Sequence, residues 1–416
     1  MDNSLDSSGF SGPRRPRRAV TTAILGVGLV TLLVVLGASR RSAGEARPAP
    51  GQAAPAAQVQ APKPVAKAPA QRPQVELVFA LDTTGSMSGL IEGAKQKIWS
   101  LASFVAQGQP TPDLRVGLIG YRDIGDAYVT KVFDLDADMD RVYRRLQAFR
   151  AEGGGDAPED VARALDESVH KMSWSQSPAV VKVIYLVGDA PPHTDYNDGY
   201  DYERAARAAQ AKKIALHTIL CGSDRDAEAA WRRIASLGGG QYMAIRQDGG
   251  MHEEHTAYDA DLAKLHDKLA GTALGYGAAA PAVAAASAVA EAAPAPVKAE
   301  RAAFLARKHK SVAGDGDLLD ALDSNSVKLD DLKAADLPSD LRGLSRAQQE
   351  NVIAAKRKDR EEITKRIDEL SKKRGAELER ARAAAGKAGG EGGFDDVARK
   401  ALRKTVRDNT LSGLSL

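Results

Sequence analysis

The sequence predicts an α/β protein: a doubly wound, mostly parallel central sheet flanked by helices, with an N-terminal transmembrane helix and a charged, largely helical C-terminal tail. Three observations predict it. Between residues 74 and 276, short apolar runs alternate with amphipathic stretches, as strands joined by crossover helices do. That stretch holds all three Trp, all ten Tyr and four of the seven Phe among 416 residues, so the bulky core-forming side chains are concentrated there. Two of its apolar runs, 75–81 and 180–188, each lead into an acid, Asp82 and Asp189. Parallel sheets bind ligands beyond the carboxyl ends of their strands, so two such acids point at one crevice.

Residues 1–18 form a basic N-terminus with Arg14, Arg15, Arg17 and Arg18, and residues 19–38 carry no charge. At 1.5 Å per residue, twenty helical residues cross a hydrocarbon core roughly 30 Å thick. The stronger basic cluster precedes the span, which keeps that side cytoplasmic and places the bulk of the chain outside. A cleaved signal peptide is the alternative, but its apolar core usually runs only about 7–15 residues, so an uncleaved anchor is favoured. Residues 39–73 read as a Pro/Ala-rich spacer, since residues 43–73 carry seven prolines and eleven alanines and no bulky apolar side chain.

Within 74–276, strands are expected at 75–81, 114–121, 128–135 (antiparallel to its predecessor), 180–188, 214–220 and 242–245. Helices are expected at 88–107, 138–149, 158–171, 202–213 and 227–237, and from 259 onward. A second Ala/Pro-rich stretch, 277–298, reads as a linker to the tail, 299–416, which has 25 basic and 21 acidic residues and two aromatics. Ser345 and Gln348 fit a capping box opening a helix through about residue 382. Ile363, Ile367 and Leu370 form a narrow apolar stripe on it, too short to define a coiled coil by itself. A solvated charged helix and a partner-binding or self-associating helix both fit.

The net charge of +3, from 58 basic and 55 acidic residues, gives no global field for nucleic acid. The single cysteine, Cys221, excludes a disulfide framework and a Cys-rich metal site, and reads as a small core residue. No GxxxxGK[ST] loop, no GxGxxG after a strand and no GxSxG turn is present.

The chemistry lies in Asp82-Thr83-Thr84-Gly85-Ser86. Alternate residues Asp82, Thr84 and Ser86 point at one centre and offer a carboxylate and two hydroxyls. That donor set suits a hard divalent cation, Mg²⁺ first, with Mn²⁺ or Ca²⁺ as alternatives, and suits Zn²⁺ poorly. The plainer reading is local: Asp82 and Asp189 cap the following helices and the hydroxyls bond within a turn. Capping alone does not require two hydroxyls at this spacing. Asp123 reads as loop structure, His193 as a solvated turn residue, and residues 252–255 (HEEH) as surface loop, their order being wrong for the HExxH zinc motif.

DTTGSM after a buried strand resembles the first motif of a von Willebrand factor type A domain. That family's metal-ion-dependent adhesion site uses Asp-x-Ser/Thr-x-Ser, matched by Asp82, Thr84 and Ser86, and a later Asp matched by Asp189 in LVGDAPPH. The strings YRD (121–123), AFRAEGGGDAPED (148–160) and IRQDGG (245–250) are similar to a bacterial exported subgroup. The resemblance spans about 74–276. It implies a divalent cation that captures an acidic side chain of a partner protein. Where better-studied members place a loop Thr, this chain has Gly153-Gly154-Gly155-Asp156, and Asp156 is assigned to that place, as a direct or water-mediated ligand. A third carboxylate there tightens metal binding and weakens the cation as an acceptor for a partner's acid.

The expected function is therefore a metal-dependent protein-binding module displayed outside the cytoplasmic membrane, without catalysis. The alternative is a cell-envelope scaffold whose metal only stabilises the fold and whose tail recruits partners. A metal-dependent hydrolase is disfavoured because no nearby general base stands out.

Overall fold

The structure, a computed structural model, describes residues 72–155, 158–250, 255–387 and 393–416. The span 19–38, the basic N-terminus and all but the last residues of the 39–73 spacer lie outside the described residues. Among the described residues no helix is long and apolar enough to cross a membrane.

Six strands build the sheet: β1 (Gln74–Asp82), β2 (Asp113–Tyr121), β3 (Thr130–Asp136), β4 (Val181–Gly188), β5 (Ala215–Cys221) and β6 (Gly239–Ile245). Their order is β3-β2-β1-β4-β5-β6, parallel throughout except for β3, which runs antiparallel at the edge beside β2. β1 and β4 are buried along nearly their whole length, because helices cover both faces. From β1 the chain winds outward through β2 and β3. It then returns to the other side of β1 as β4 and winds outward again. The order thus reverses between β1 and β4, the place where open α/β sheets form their ligand crevice.

One face is covered by α3 (Val161–His170), α4 (Tyr202–Ala211) and α5 (Arg225–Leu237), which pack on Val78, Ala80, Ile184 and Leu186. The other is covered by α1 (Ser88–Ala106) and α2 (Met139–Gln147), which pack on Leu77, Phe79, Val183 and Tyr185. Alternate residues of one strand therefore feed two separate cores, as a pleated strand requires.

The chain beyond residue 276 departs from the linker-and-tail expectation. Residues 67–416 form one compact unit. The 277–298 stretch folds into α7 (Ala280–Glu291) and the start of α8 (Ala295–Lys308), and each helix carries a proline in its first turn. Proline there costs no hydrogen bond and presets φ, so it opens helices where the composition suggested extended chain. Ala299, Ala302, Phe304 and Leu305 of α8 join the core against α1, and Phe304 meets Trp99 edge-on at 5.6 Å. The short α9 (Leu318–Asp323) belongs to a satellite core with Leu274, Leu337 and Ile353.

The capping box forms, with Ser345 N–H donating to Gln348 Oε1 at 2.9 Å, and opens α10 (Arg346–Lys387). The stripe on α10 is core: Ile367 and Leu370 are buried in the main cluster, and Ile363 packs against it. It serves this chain's own packing rather than a coiled coil or a second copy. The last helix, α11 (Phe394–Asp408), lies on the sheet itself. Phe394 contacts Phe79, and Tyr185 Oη donates to Ala398 O at 2.8 Å.

Tail charges thus include buried ones. Arg301 of α8 makes two hydrogen bonds to Asp140 of α2, at 2.7 and 2.8 Å, with both residues at most 4% exposed. Arg360 of α10 bonds Asp317 and Asp320, and Arg374 bonds Asp259 and Glu300, all at 2.6–2.7 Å. Removing one partner of a buried pair strands the other charge at a cost of about 3–5 kcal/mol. Arg301→Ala is therefore expected to lower the urea-unfolding free energy by about that amount. A loss within about 0.5 kcal/mol, the range of ordinary surface substitutions, would show that α8 is not locked to the domain.

Candidate metal centre

Strand β1 delivers Asp82 to the switch point, and β4 delivers Asp189 one residue beyond its end. Thr83 points away and anchors the turn. Its Oγ1 lies 2.6 Å from Tyr128 Oη and donates to Tyr121 O at 3.0 Å, while Glu152 N–H donates to its carbonyl. Asp82 Oδ1 accepts from Thr84 N–H at 2.8 Å and from Thr84 Oγ1 at 2.6 Å. Thr84 Oγ1 lies 3.3 Å from Ser86 Oγ. Asp82 is wholly buried, and its Oδ2 has no hydrogen-bond donor among the described residues.

Asp189 Oδ2 accepts from Gln247 Nε2 at 2.5 Å; the same amide reaches Ser86 O at 3.5 Å. Neither aspartate caps a helix: α1 opens without a side-chain cap, and α4 is capped by Asp201.

A glycine loop closes the other wall. Gly153 and Gly154 have φ of +79° and +84°, and Gly154 N–H donates to Asp126 at 3.3 Å. A Cβ on Gly154 would stand 3.2 Å from Thr84 Cβ, so only glycine brings the backbone this close without strain. Asp156, which the sequence placed here, lies outside the described residues.

The carboxylate that lines the crevice from this loop is Glu159. It shares a cavity of about 270 Å³ with Thr84, Ser86, Gly154, Asp189 and Pro191. Its N–H donates to Pro191 O and its carbonyl accepts from His193 N–H, both at 3.0 Å, which ties it to the segment carrying Asp189. The string GGGDAPED advertises three carboxylates. Asp160 caps α3 through Arg163 N–H, which leaves its neighbour Glu159 facing the crevice. Spacing could not choose among them.

Asp82, Thr84, Ser86 and Asp189 are thus brought together. Asp123 has a loop role, accepting from Tyr196 Oη at 2.7 and 2.9 Å. His193 departs from the solvated-turn expectation. Its side chain is 10% exposed, stacks on Tyr196 and bonds Asp195 at 2.9 Å. Cys221 is buried and free. Of residues 252–255 only His255 is described, and it is exposed.

Burial drives Asp82 up to about 7, against the opposing Thr84 hydrogen bonds and helped by the Asp189 charge. Burial, then the charges of Asp82, Asp123, Asp126 and Asp189, drive Glu159 up to about 9. No basic side chain lines the crevice. Buried carboxylates facing one another without a cation are costly, and a divalent cation removes that cost. The donors are all oxygen and hard, and the unpartnered Asp82 Oδ2 fits such an ion. Among the described residues no three His, Cys, Asp or Glu side chains stand together as a ligand group.

The fold and this crevice define a class: a doubly wound α/β domain with an oxygen-lined crevice at its switch point. Residues 76–257 match the von Willebrand factor type A domain, and the chain carries a domain of that family. A 129-residue stretch, 30% of the chain, is 33% identical to the alpha-protein kinase vwkA of Dictyostelium discoideum, covering 20% of that protein. A 151-residue stretch, 36% of the chain, is 24% identical to a putative ariadne-like RING finger protein, R811, of Acanthamoeba polyphaga mimivirus, covering 13% of it. The chain thus spans a fifth or less of these relatives. Among solved structures, the SpRpn10 VWA domain is 12% identical over 42% of this chain and 89% of that one, with a TM-score of 0.33. Proximal thread matrix protein 1 of the mussel byssus, with a zinc-occupied MIDAS motif, is 12% identical over 42% of this chain and 43% of that one, with a TM-score of 0.35.

With no cation bound, Asp82 and Glu159 keep protons in the folded chain that they release when unfolded. Between about pH 4 and pH 9 the folded state therefore binds more protons, and stability falls as pH rises. In chelator, the unfolding free energy is expected to drop from pH 5 to pH 8, by about 1.4 kcal/mol per pH unit per extra proton held. Asp82→Asn should lessen the slope and leave the part that Glu159 contributes. A wild-type profile already flat across this window would contradict the burial argument.

Proposed function

We propose that the crevice holds a divalent cation, Mg²⁺ or Mn²⁺ before Ca²⁺, on Asp82, Thr84, Ser86 and Asp189, and offers it to an acidic side chain of a partner protein. The observation that carries this reading is Asp82 Oδ2, wholly buried without a donor beside the Asp189 carboxylate. VWA domains are in general metal-dependent protein-interaction modules. Bound there, the ion supplies Lewis acidity toward an oxygen donor. The chain's own residues orient it. Thr83 and Gly154 fix the turn, Gln247 holds Asp189, and Thr84 holds Asp82.

The reading is one of binding without catalysis, since the two crevice hydroxyls serve the cation. We further propose display outside the cytoplasmic membrane, supported by the uncharged span 19–38 and its upstream arginines. Tail-based recruitment is left to the exposed faces of α8, α10 and α11, since each packs one face into the core.

Addition of MgCl₂ or MnCl₂ to the full chain at 100 Kd is expected to raise the unfolding free energy by about 2.7 kcal/mol. Asp82→Ala should abolish that gain while remaining folded. An equal gain in Asp82→Ala, or no gain in the wild type, would sink the metal centre. Partner capture that persists undiminished in chelator would sink the binding mechanism.

A further inference from the structure

A second cavity, of about 300 Å³, lies where α1, α8, α10 and α11 converge, and six basic but only two acidic side chains line it. The acids do not balance the cations. Glu300 pairs with Arg374 at 2.6 Å, and Glu379 is exposed, where solvent screens its charge. Asp395, outside the lining, is shared at 3.5 Å by Arg382 and Arg399. Among the described residues Arg307, Lys372 and Arg403 take part in no ion pair. Arg399 and Arg403, one turn apart on α11, place their guanidinium carbons 5.6 and 4.8 Å from the centroid of a single ring, Phe104. Like charges at that spacing repel one another.

Two buried groups in this lining also lack a counterpart. Ser371 Oγ and Arg399 Nε have no hydrogen-bond partner among the described residues. Arg399 Nη2 donates to Ser100 Oγ, which leaves the Nε edge of its guanidinium open. Basic helix faces are usually solvated, and Arg307, in the last turn of α8, gains from the helix dipole. Solvation of a face does not account for buried donors, which native folds rarely leave unmet.

We propose that this cavity binds a compact phosphate ester, held by Arg307, Lys372 and Arg403 with Ser371 and Arg399 as hydrogen-bond donors. The charge favours phosphate over a lone carboxylate. A phosphate monoester carries about −1.5 to −2 charges, which three uncompensated cations can meet, and guanidinium forks bond its oxygens in pairs. The volume lies at the lower end of small-ligand sites, which suits a small ester rather than a polymer strand. No residue of the crevice takes part, so the site stands independently of the metal-centre reading.

The test is titration calorimetry of the full chain in chelator, with sodium pyrophosphate and dihexanoyl phosphatidic acid as probes and sodium chloride of matched ionic strength as control. Chelator removes metal-mediated capture at the crevice, so Asp82→Ala should bind the probes as wild type does. Arg307→Gln should weaken binding about 10–100-fold, the worth of a hydrogen bond to a charged group. Lys372→Gln, on the exposed rim, should weaken it by less and chiefly at low salt. Both variants should unfold in urea close to the wild-type midpoint, since neither cation is paired. Tighter binding of pyrophosphate assigns the site to a soluble ester, and tighter binding of the lipid assigns it to a headgroup. No binding of either probe by wild type would overturn the site. Binding lost in Asp82→Ala, or unchanged in both cation variants, would overturn it by placing the probe elsewhere. Weaker binding in step with a markedly lowered unfolding midpoint would overturn it too, by showing a merely structural role for these cations.

Discussion

The parallel pairing of β1 with β4 is the constraint on which the rest depends. The register sets Leu81 beside Val187, so the two chains leave the sheet together, one through Asp82 and the other through Asp189. Because the chain winds away from this seam in both directions, no crossover connection covers it. Two carboxylates then meet at a crevice walled by the end of the sheet, the Asp82–Ser86 turn and the glycine loop. Burial, then mutual repulsion, raises the proton affinity of Asp82 and Glu159, and no basic side chain lining the crevice supplies a counter-charge.

Each wall of the crevice is held by a part of the fold remote in sequence. Gly154 hangs on Asp126, Glu159 on Pro191 and His193, and Asp189 on Gln247. The Gln247 loop in turn meets the C-terminal helix, where Phe394 N–H donates to Gly249 O at 3.0 Å. The helix that covers Phe79 and Tyr185 thus also steadies the loop that orients Asp189. The crevice and the C-terminal segment belong to one packed body, so a truncated domain would expose the side of α1 that α8 buries and the sheet face that α11 buries.

The charges of the C-terminal segment divide by environment. Arg301, Arg360 and Arg374 are buried and paired, and their loss would strand Asp140, Asp317 or Asp259. Others, such as the Arg346–Glu350 and Lys404–Asp408 pairs, are exposed on helix faces and contribute little individually. The buried pairs fix the docking geometry of helices whose apolar stripes are too narrow to define it alone.

The sequence by itself determined the alternating strands and helices, the crevice position, and the residues Asp82, Thr84, Ser86 and Asp189. These are local facts: apolar runs of strand length, acids at their ends, and hydroxyls at alternate positions of one turn. The capping box at Ser345 is legible for the same reason. Only the tertiary structure decided the fate of residues 277–416. Alanine and proline carry no signal distinguishing a spacer from close-packed helices until a partner surface is present, and a charged helix shows its buried arginines only when the opposing aspartates are in place. It also decided that Glu159 faces the crevice while Asp160 caps α3. Which of neighbouring carboxylates turns inward depends on the backbone direction set by Pro191 and His193, more than 30 residues further along the chain.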